Sequence, residues 1–116
     1  MAGDGARPVV DLAALDRQTG GDQDLRRDVI DMFLEDCPGR VAAIRSAIDQ
    51  SDAPALMAAA HSLKGACGYL SGVIARDAAA ELEEMGRDGR VQDAAAALDR
   101  LDAAVADLIP ELRKLL

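Results

Sequence analysis

Apolar residues recur along this chain at intervals of three and four, the spacing that gathers them on one side of an α-helix. From about Asp24 to Asp49 the positions Leu25, Val29, Met32, Phe33, Cys37, Val41, Ile44 and Ile48 form one such stripe. Pro38 falls inside it. An interior proline removes a helical hydrogen bond, so this element is expected to bend or split near Asp36. Asp52 is placed to cap the next helix, with Pro54 in the first turn, where proline is tolerated. That helix runs through Leu56, Ala59, Leu63 and Cys67 to Leu70 or Ser71. Another spans roughly Ile74 to Met85, with Ala78, Leu82 and Met85 on one face and Gly86 and Gly89 closing it. The last starts near Val91, and Val91, Ala94, Leu98, Leu101, Val105, Leu108, Leu112 and Leu115 keep a near-heptad spacing suited to a bundle seam. Pro110 is a candidate kink near its end.

Upstream, Asp11 can cap a short helix through Leu12, Leu15 and Asp16 that Gly20 and Gly21 terminate. Residues 1–10, with Gly3, Gly5 and Pro8, carry no periodicity and read as a disordered lead. The connections are short, which makes consecutive helices antiparallel neighbours. The expected architecture is all-α: an antiparallel up-down four-helix bundle over residues 11–116, with a short N-terminal helix across one end.

Composition sharpens this picture. A chain of 116 residues suits one domain, and with one Phe, one Tyr and no Trp its core must be built from Leu, Ile, Val, Met and Ala. The formal charge of −8, from 13 basic and 21 acidic residues, argues against nucleic acid and against anionic membrane surfaces. Cys37 and Cys67 stand outside any CxxC pair and are too few for a disulfide scaffold or a zinc site, so both are expected as buried free thiols. The opening residues lack the apolar stretch of a signal peptide, and no apolar run approaches a membrane span. A cytoplasmic monomer is expected.

Candidate chemistry is confined to the segment Ala58-Ala59-Ala60-His61-Ser62-Leu63-Lys64-Gly65-Ala66-Cys67-Gly68-Tyr69-Leu70. Advancing ~100° per residue, Leu56, Ala59, Ala60, Leu63, Ala66, Cys67 and Leu70 fall on the core side. His61, Lys64, Gly65 and Gly68 fall on the opposite side, joined by Gly72 if the helix persists. A glycine inside a helix costs ~1 kcal/mol relative to alanine, so two or three on one face forgo on the order of 2–3 kcal/mol. A face stripped of side chains suits close approach by another backbone or a ligand. The chain's only histidine stands in that clearing, one turn from a lysine.

A neutral imidazole is a good nucleophile near neutral pH and can accept a phosphoryl group on a ring nitrogen. Lys64, three residues on, can balance charge on the phosphoryl oxygens. Neither a GxxxxGK[ST] loop nor a glycine-rich nucleotide lid is present, which argues against self-phosphorylation from ATP. A lone exposed helical histidine is ordinarily just a solvated side chain; the histidine, lysine and glycines on one face distinguish this one. The acidic group Glu81, Glu83 and Glu84 reads as a solvated helix face rather than a metal site, and Cys67 as core rather than redox-active.

The run Ala60-His61-Ser62-Leu63-Lys64-Gly65 resembles the His-x-x-Lys-Gly signature of the histidine-containing phosphotransfer (HPt) domains of bacterial phosphorelays. The resemblance extends to Phe33-Leu34-Glu35-Asp36-Cys37-Pro38 before it, and to Gly68-Tyr69-Leu70 and the pair Leu82-Glu83 with Gly86 after it, covering about Leu12 to Leu116. It implies that His61 is the phosphoacceptor, that Lys64 steadies or orients the phosphoryl group, and that Gly65 and Gly68 keep the surface clear for a receiver domain. Met57 and Ala58, one turn earlier, are expected at the edge of that docking surface. Where the family usually has a glycine after the leucine, Leu70 is followed here by Ser71 and then Gly72.

The implied function is a phosphoryl carrier, not an autonomous kinase, working between receiver domains of a hybrid histidine kinase and a response regulator. It would bind no cofactor itself, the required Mg²⁺ residing in the receiver. A docking or regulatory module with the same bundle but no phosphate is the alternative. The dimerising histidine domain of a sensor kinase fits less well, since this chain has no room for the ATP-binding region that follows it.

Overall fold

The structure, a computed structural model, describes residues 7–116; of the expected lead, residues 1–6 lie outside the described residues. Aspartates start three of the helices. Asp11 accepts from the Ala14 amide to cap α1 (Leu12–Gln18), Asp22 from Asp24 and Leu25 to cap α2 (Gln23–Asp49), and Asp52 from Ala55 to cap α3 (Ala53–Tyr69). Each side chain satisfies a backbone donor that has no partner within its helix. Gly72 leads into α4 (Val73–Arg87), and a 3₁₀ turn over Val91–Asp93 leads into α5 (Ala94–Arg113).

The helix ends are equally regular. α1, α2, α3 and α4 each close with paired bonds back to the last turn, as in Ser71 N–H to Gly68 O (3.0 Å) and Gly72 N–H to Cys67 O (2.9 Å). This closure needs a residue of positive φ. Gly20 and Gly89 supply it for α1 and α4, whereas Ser51 (φ 54°) and Ser71 (φ 59°) supply it for α2 and α3. The serine after Leu70 therefore does the work of the usual glycine at the cost of a left-handed, non-glycine conformation.

α2 packs on α3, α3 on α4 and α4 on α5, and α5 returns to α2, which closes an antiparallel bundle. α1 lies at the end where α3 turns into α4: the Asp11 amide donates to Ser71 O at 2.9 Å, and Leu15 is fully buried. The chain just before α1 is also held, with Val10 buried and Arg7 paired to Asp77 at 2.6 Å. No described helix is long and apolar enough to cross a membrane.

Several expectations change. Of the bend or split expected near Asp36, the split does not occur: α2 is continuous through Pro38, because Phe33 and Cys37 before the proline and Ile44 and Ala47 after it all anchor on the same core. Pro38 itself is exposed, so water can reach the carbonyl it leaves unpaired. Pro110 likewise sits exposed within a continuous α5. The buried line of α2 runs through Ile30, leaving Leu25 (41 % exposed) and Met32 (62 % exposed) outside. Gly72 does not join the histidine face; α3 has ended, and a Cβ on Gly72 would stand 3.1 Å from Leu108 in the core. Gly86 does not close α4 either but lies buried within it, facing the backbone of α3.

Candidate functional site

His61 occupies the middle of α3. On the same helix Leu56, Ala60, Leu63 and Cys67 are buried, which forces the arc carrying His61 outward. Its imidazole is 68 % exposed. Gly65 is exposed with open space where a Cβ would be, so the turn after the histidine is clear of side chains. Gly68 is only half-exposed, because the Arg76 side chain of α4 passes 3.5 Å from its notional Cβ. Ala58 is exposed, and Met57 is half-buried toward α4.

What organises this face comes from the neighbouring helix. Glu83 of α4 is buried (6 % exposed), yet its carboxylate reaches the surface chemistry from beneath. One oxygen, Oε2, lies 2.9 Å from His61 Nδ1, and the other, Oε1, lies 2.6 Å from Lys64 Nζ. Arg87, one turn further along α4, reaches Oε2 at 3.3 Å. The Lys64 hydrogen bond, helped by that of His61, holds the Glu83 carboxyl below the usual glutamate range against the opposing effect of burial. An ionised carboxylate can only accept, so Nδ1 carries the ring proton and donates it. The free lone pair is then on Nε2.

The Lys64 ammonium, one turn from His61 on α3, is bound to the Glu83 carboxylate and stays about one-third exposed. On the other flank, Arg40 of α2 donates to the Ser62 hydroxyl next to His61 and lies 3.9 Å from Asp36. Between α2 and α3 an open apolar groove of about 230 Å³ is lined by Val29, Met32, Phe33, Tyr69 and Leu70, with Asp36 and Arg40 at its end. Cys67 is in the core, where burial pushes its thiol up to about 12, and Cys37 is likewise buried and raised.

The Hpt domain family model matches residues 28–112. This chain belongs to the Hpt domain family. In three dimensions it is similar to the crystal structure of histidine-containing phosphotransfer protein B (HptB) from Pseudomonas aeruginosa PAO1. The TM-score is 0.86 at 27 % identity, over 92 % of this chain and 93 % of that one. No curated protein matches it significantly in sequence. Histidine phosphotransfer in a phosphorelay is therefore the function of this Hpt domain, a phosphoryl carrier rather than a kinase, acting with receiver domains.

Glu83 departs from the solvated face expected for it together with Glu81 and Glu84. Glu84 is exposed and Glu81 pairs with Arg100 at 2.7 Å, but Glu83 points inward. A signal was available. Ala75, Ala79, Glu83 and Gly86 fall on one helical line, and the other three are small and buried. A carboxylate set into a stripe of small residues is buried unless the packing fails, and a buried charge needs partners.

Proposed function

We propose that His61 Nε2 is the atom that takes the phosphoryl group from a receiver aspartate and returns it to another. The observation that carries this reading is the Glu83 carboxylate on Nδ1, which leaves Nε2 unprotonated on the exposed side of the only histidine in the chain. The Nε2 lone pair attacks the phosphorus of the receiver's acyl phosphate. The bond from phosphorus to the aspartyl oxygen breaks, and its electron pair leaves with the aspartate carboxylate. The Nδ1 proton stays in place, so the phosphorylated ring is cationic, and Glu83 stands against that charge as the aspartate of a catalytic triad does against imidazolium. Reversal runs through the same atoms. Lys64, already on Glu83, keeps the carboxylate ionised, and Lys64 and Arg87 leave positive charge at the rim for the phosphoryl oxygens.

No autonomous kinase activity is assigned to the domain. Both oxygens of Glu83 are engaged by His61, Lys64 and Arg87, so we assign the Mg²⁺ of the transfer to the receiver's acidic pocket. The receiver docks over Gly65, Gly68, Ala58 and the exposed edge of Met57, with the groove beside Met32 and Tyr69 continuing that surface. The domain works as a cytoplasmic monomer. Incubation with a phosphorylated receiver tests the reading: wild type acquires acid-labile, base-stable label, and His61→Gln acquires none. Label retained by His61→Gln would refute the assignment.

A further inference from the structure

The contact between His61 and Glu83 spans two helices, so the distance between α3 and α4 decides whether it exists. Gly86 sits where the two helices come closest. A Cβ on it would lie 2.5 Å from the Met57 amide nitrogen, 2.8 Å from Met57 Cα and 3.0 Å from the Ala53 carbonyl oxygen. All three are backbone atoms of α3, so no side-chain rotation can make room. Gly86 lies one turn after Glu83, and Met57 one turn before His61. In antiparallel helices that puts both pairs on the same seam, about one turn apart (~5 Å).

We propose that Gly86 is a positioning residue for phosphotransfer, acting through Glu83: its missing side chain lets α4 approach α3 closely enough for the carboxylate to hold His61 Nδ1. The proposal rests on the reading of His61 as the phosphoacceptor. With alanine at this position, α4 must withdraw from 2.5 Å to the 3.4 Å where ordinary contact begins, about 0.9 Å. Transmitted to Glu83, a withdrawal of that size carries its 2.9 Å contact with Nδ1 past about 3.5 Å, where no hydrogen bond remains. Lys64 has a long flexible stem and can follow the carboxylate; the imidazole, with two rotatable bonds from the backbone, follows far less. Gly86→Ala therefore separates the histidine from Glu83 while keeping the lysine pair. It frees the ring to take its proton on Nε2, the nitrogen that must be bare to attack.

The test is a comparison of Gly86→Ala, Glu83→Gln and the double variant, each checked for helical content. Nitrogen NMR of the single imidazole, at a pH where the ring is neutral, reads which nitrogen is protonated. Wild type should show a protonated Nδ1, and Gly86→Ala a shift of the proton toward Nε2, with transfer from a phosphorylated receiver slowed ~10-fold, as for loss of a partner that orients a functional histidine. In the Glu83→Gln background Gly86→Ala should change neither readout further. Leu101→Ala, which loosens the core from α5, outside the two helices of this seam, should lower the melting temperature and leave the tautomer alone. A folded Gly86→Ala with wild-type tautomer and rate overturns the proposal, as does an equal loss in the Glu83→Gln background. If Gly86→Ala does not fold, it is remade with Ser51→Gly and Ser71→Gly; failure there assigns Gly86 to packing only and also overturns it. The tautomer readout needs no phosphate, so loss of the phosphoacceptor assignment and loss of this proposal are distinguishable.

Discussion

Glu83→Gln is the most informative single change, because one buried carboxylate serves a histidine, a lysine and an arginine. The amide keeps the shape and removes the charge. If its oxygen faces Nδ1, its NH₂ group faces the Lys64 ammonium, donor against donor. If it turns over, the NH₂ group faces Nδ1 and selects the wrong tautomer. Hydrogen bonds to charged groups contribute about 1.5–3 kcal/mol each when buried. Here Lys64 is about one-third exposed and Arg87 58 % exposed, so both recover hydration and their share shrinks toward the ~0–1 kcal/mol of surface pairs. A net loss of about 1–2 kcal/mol follows, which for a chain of this size lowers the melting temperature by roughly 4–8 °C. The effect on transfer is larger. Asparagine in place of a triad aspartate costs ~10⁴-fold. The imidazole here is mostly exposed to water, so a reduction of roughly 10- to 100-fold is expected instead. The assay is the initial rate of label transfer from a phosphorylated receiver, at a temperature well below the variant's melting point. A folded Glu83→Gln that transfers at the wild-type rate would refute the role given to this carboxylate.

Acid titration gives an independent check: because Glu83 holds its proton less tightly folded than unfolded, its stabilisation is present above about pH 4.5 and lost as the pH falls, and Glu83→Gln should flatten that part of the stability curve. Gly65→Ala should stabilise the protein by ~1 kcal/mol, since the methyl meets open space on a helix, yet slow transfer if the receiver docks there as proposed; the melting temperature should rise while the transfer rate falls. Ser71→Gly relieves a left-handed conformation worth about 1–2 kcal/mol, offset by glycine's extra freedom in the unfolded chain of roughly 0.5–1 kcal/mol. A gain of about 0.5–1 kcal/mol should raise the urea midpoint without changing the slope.

The helices, the aspartate caps Asp11 and Asp52 and the outward arc of His61 were legible in the sequence because each depends on residues three or four apart, and local spacing is what a linear pattern records. The buried heptad line of α5 and the core side of α3 followed from the same periodicity. The continuity of α2 through Pro38 was not legible, since it depends on Ile30, Phe33, Cys37, Ile44 and Ala47 meeting one core together, which outweighs a single lost hydrogen bond. Neither was the role of Gly86, which looked like a helix terminator and is a contact surface. Glu83 marks the boundary most clearly. Alone on its helix it is one of several acids; it becomes part of the site only when α4 lies against α3 and brings its carboxylate to 2.9 Å from a histidine 22 residues away. The sequence by itself singled out the one histidine available as the proposed phosphoacceptor. Only the tertiary structure decided which nitrogen of that residue is left free, because the proton's position is set by a partner on another helix.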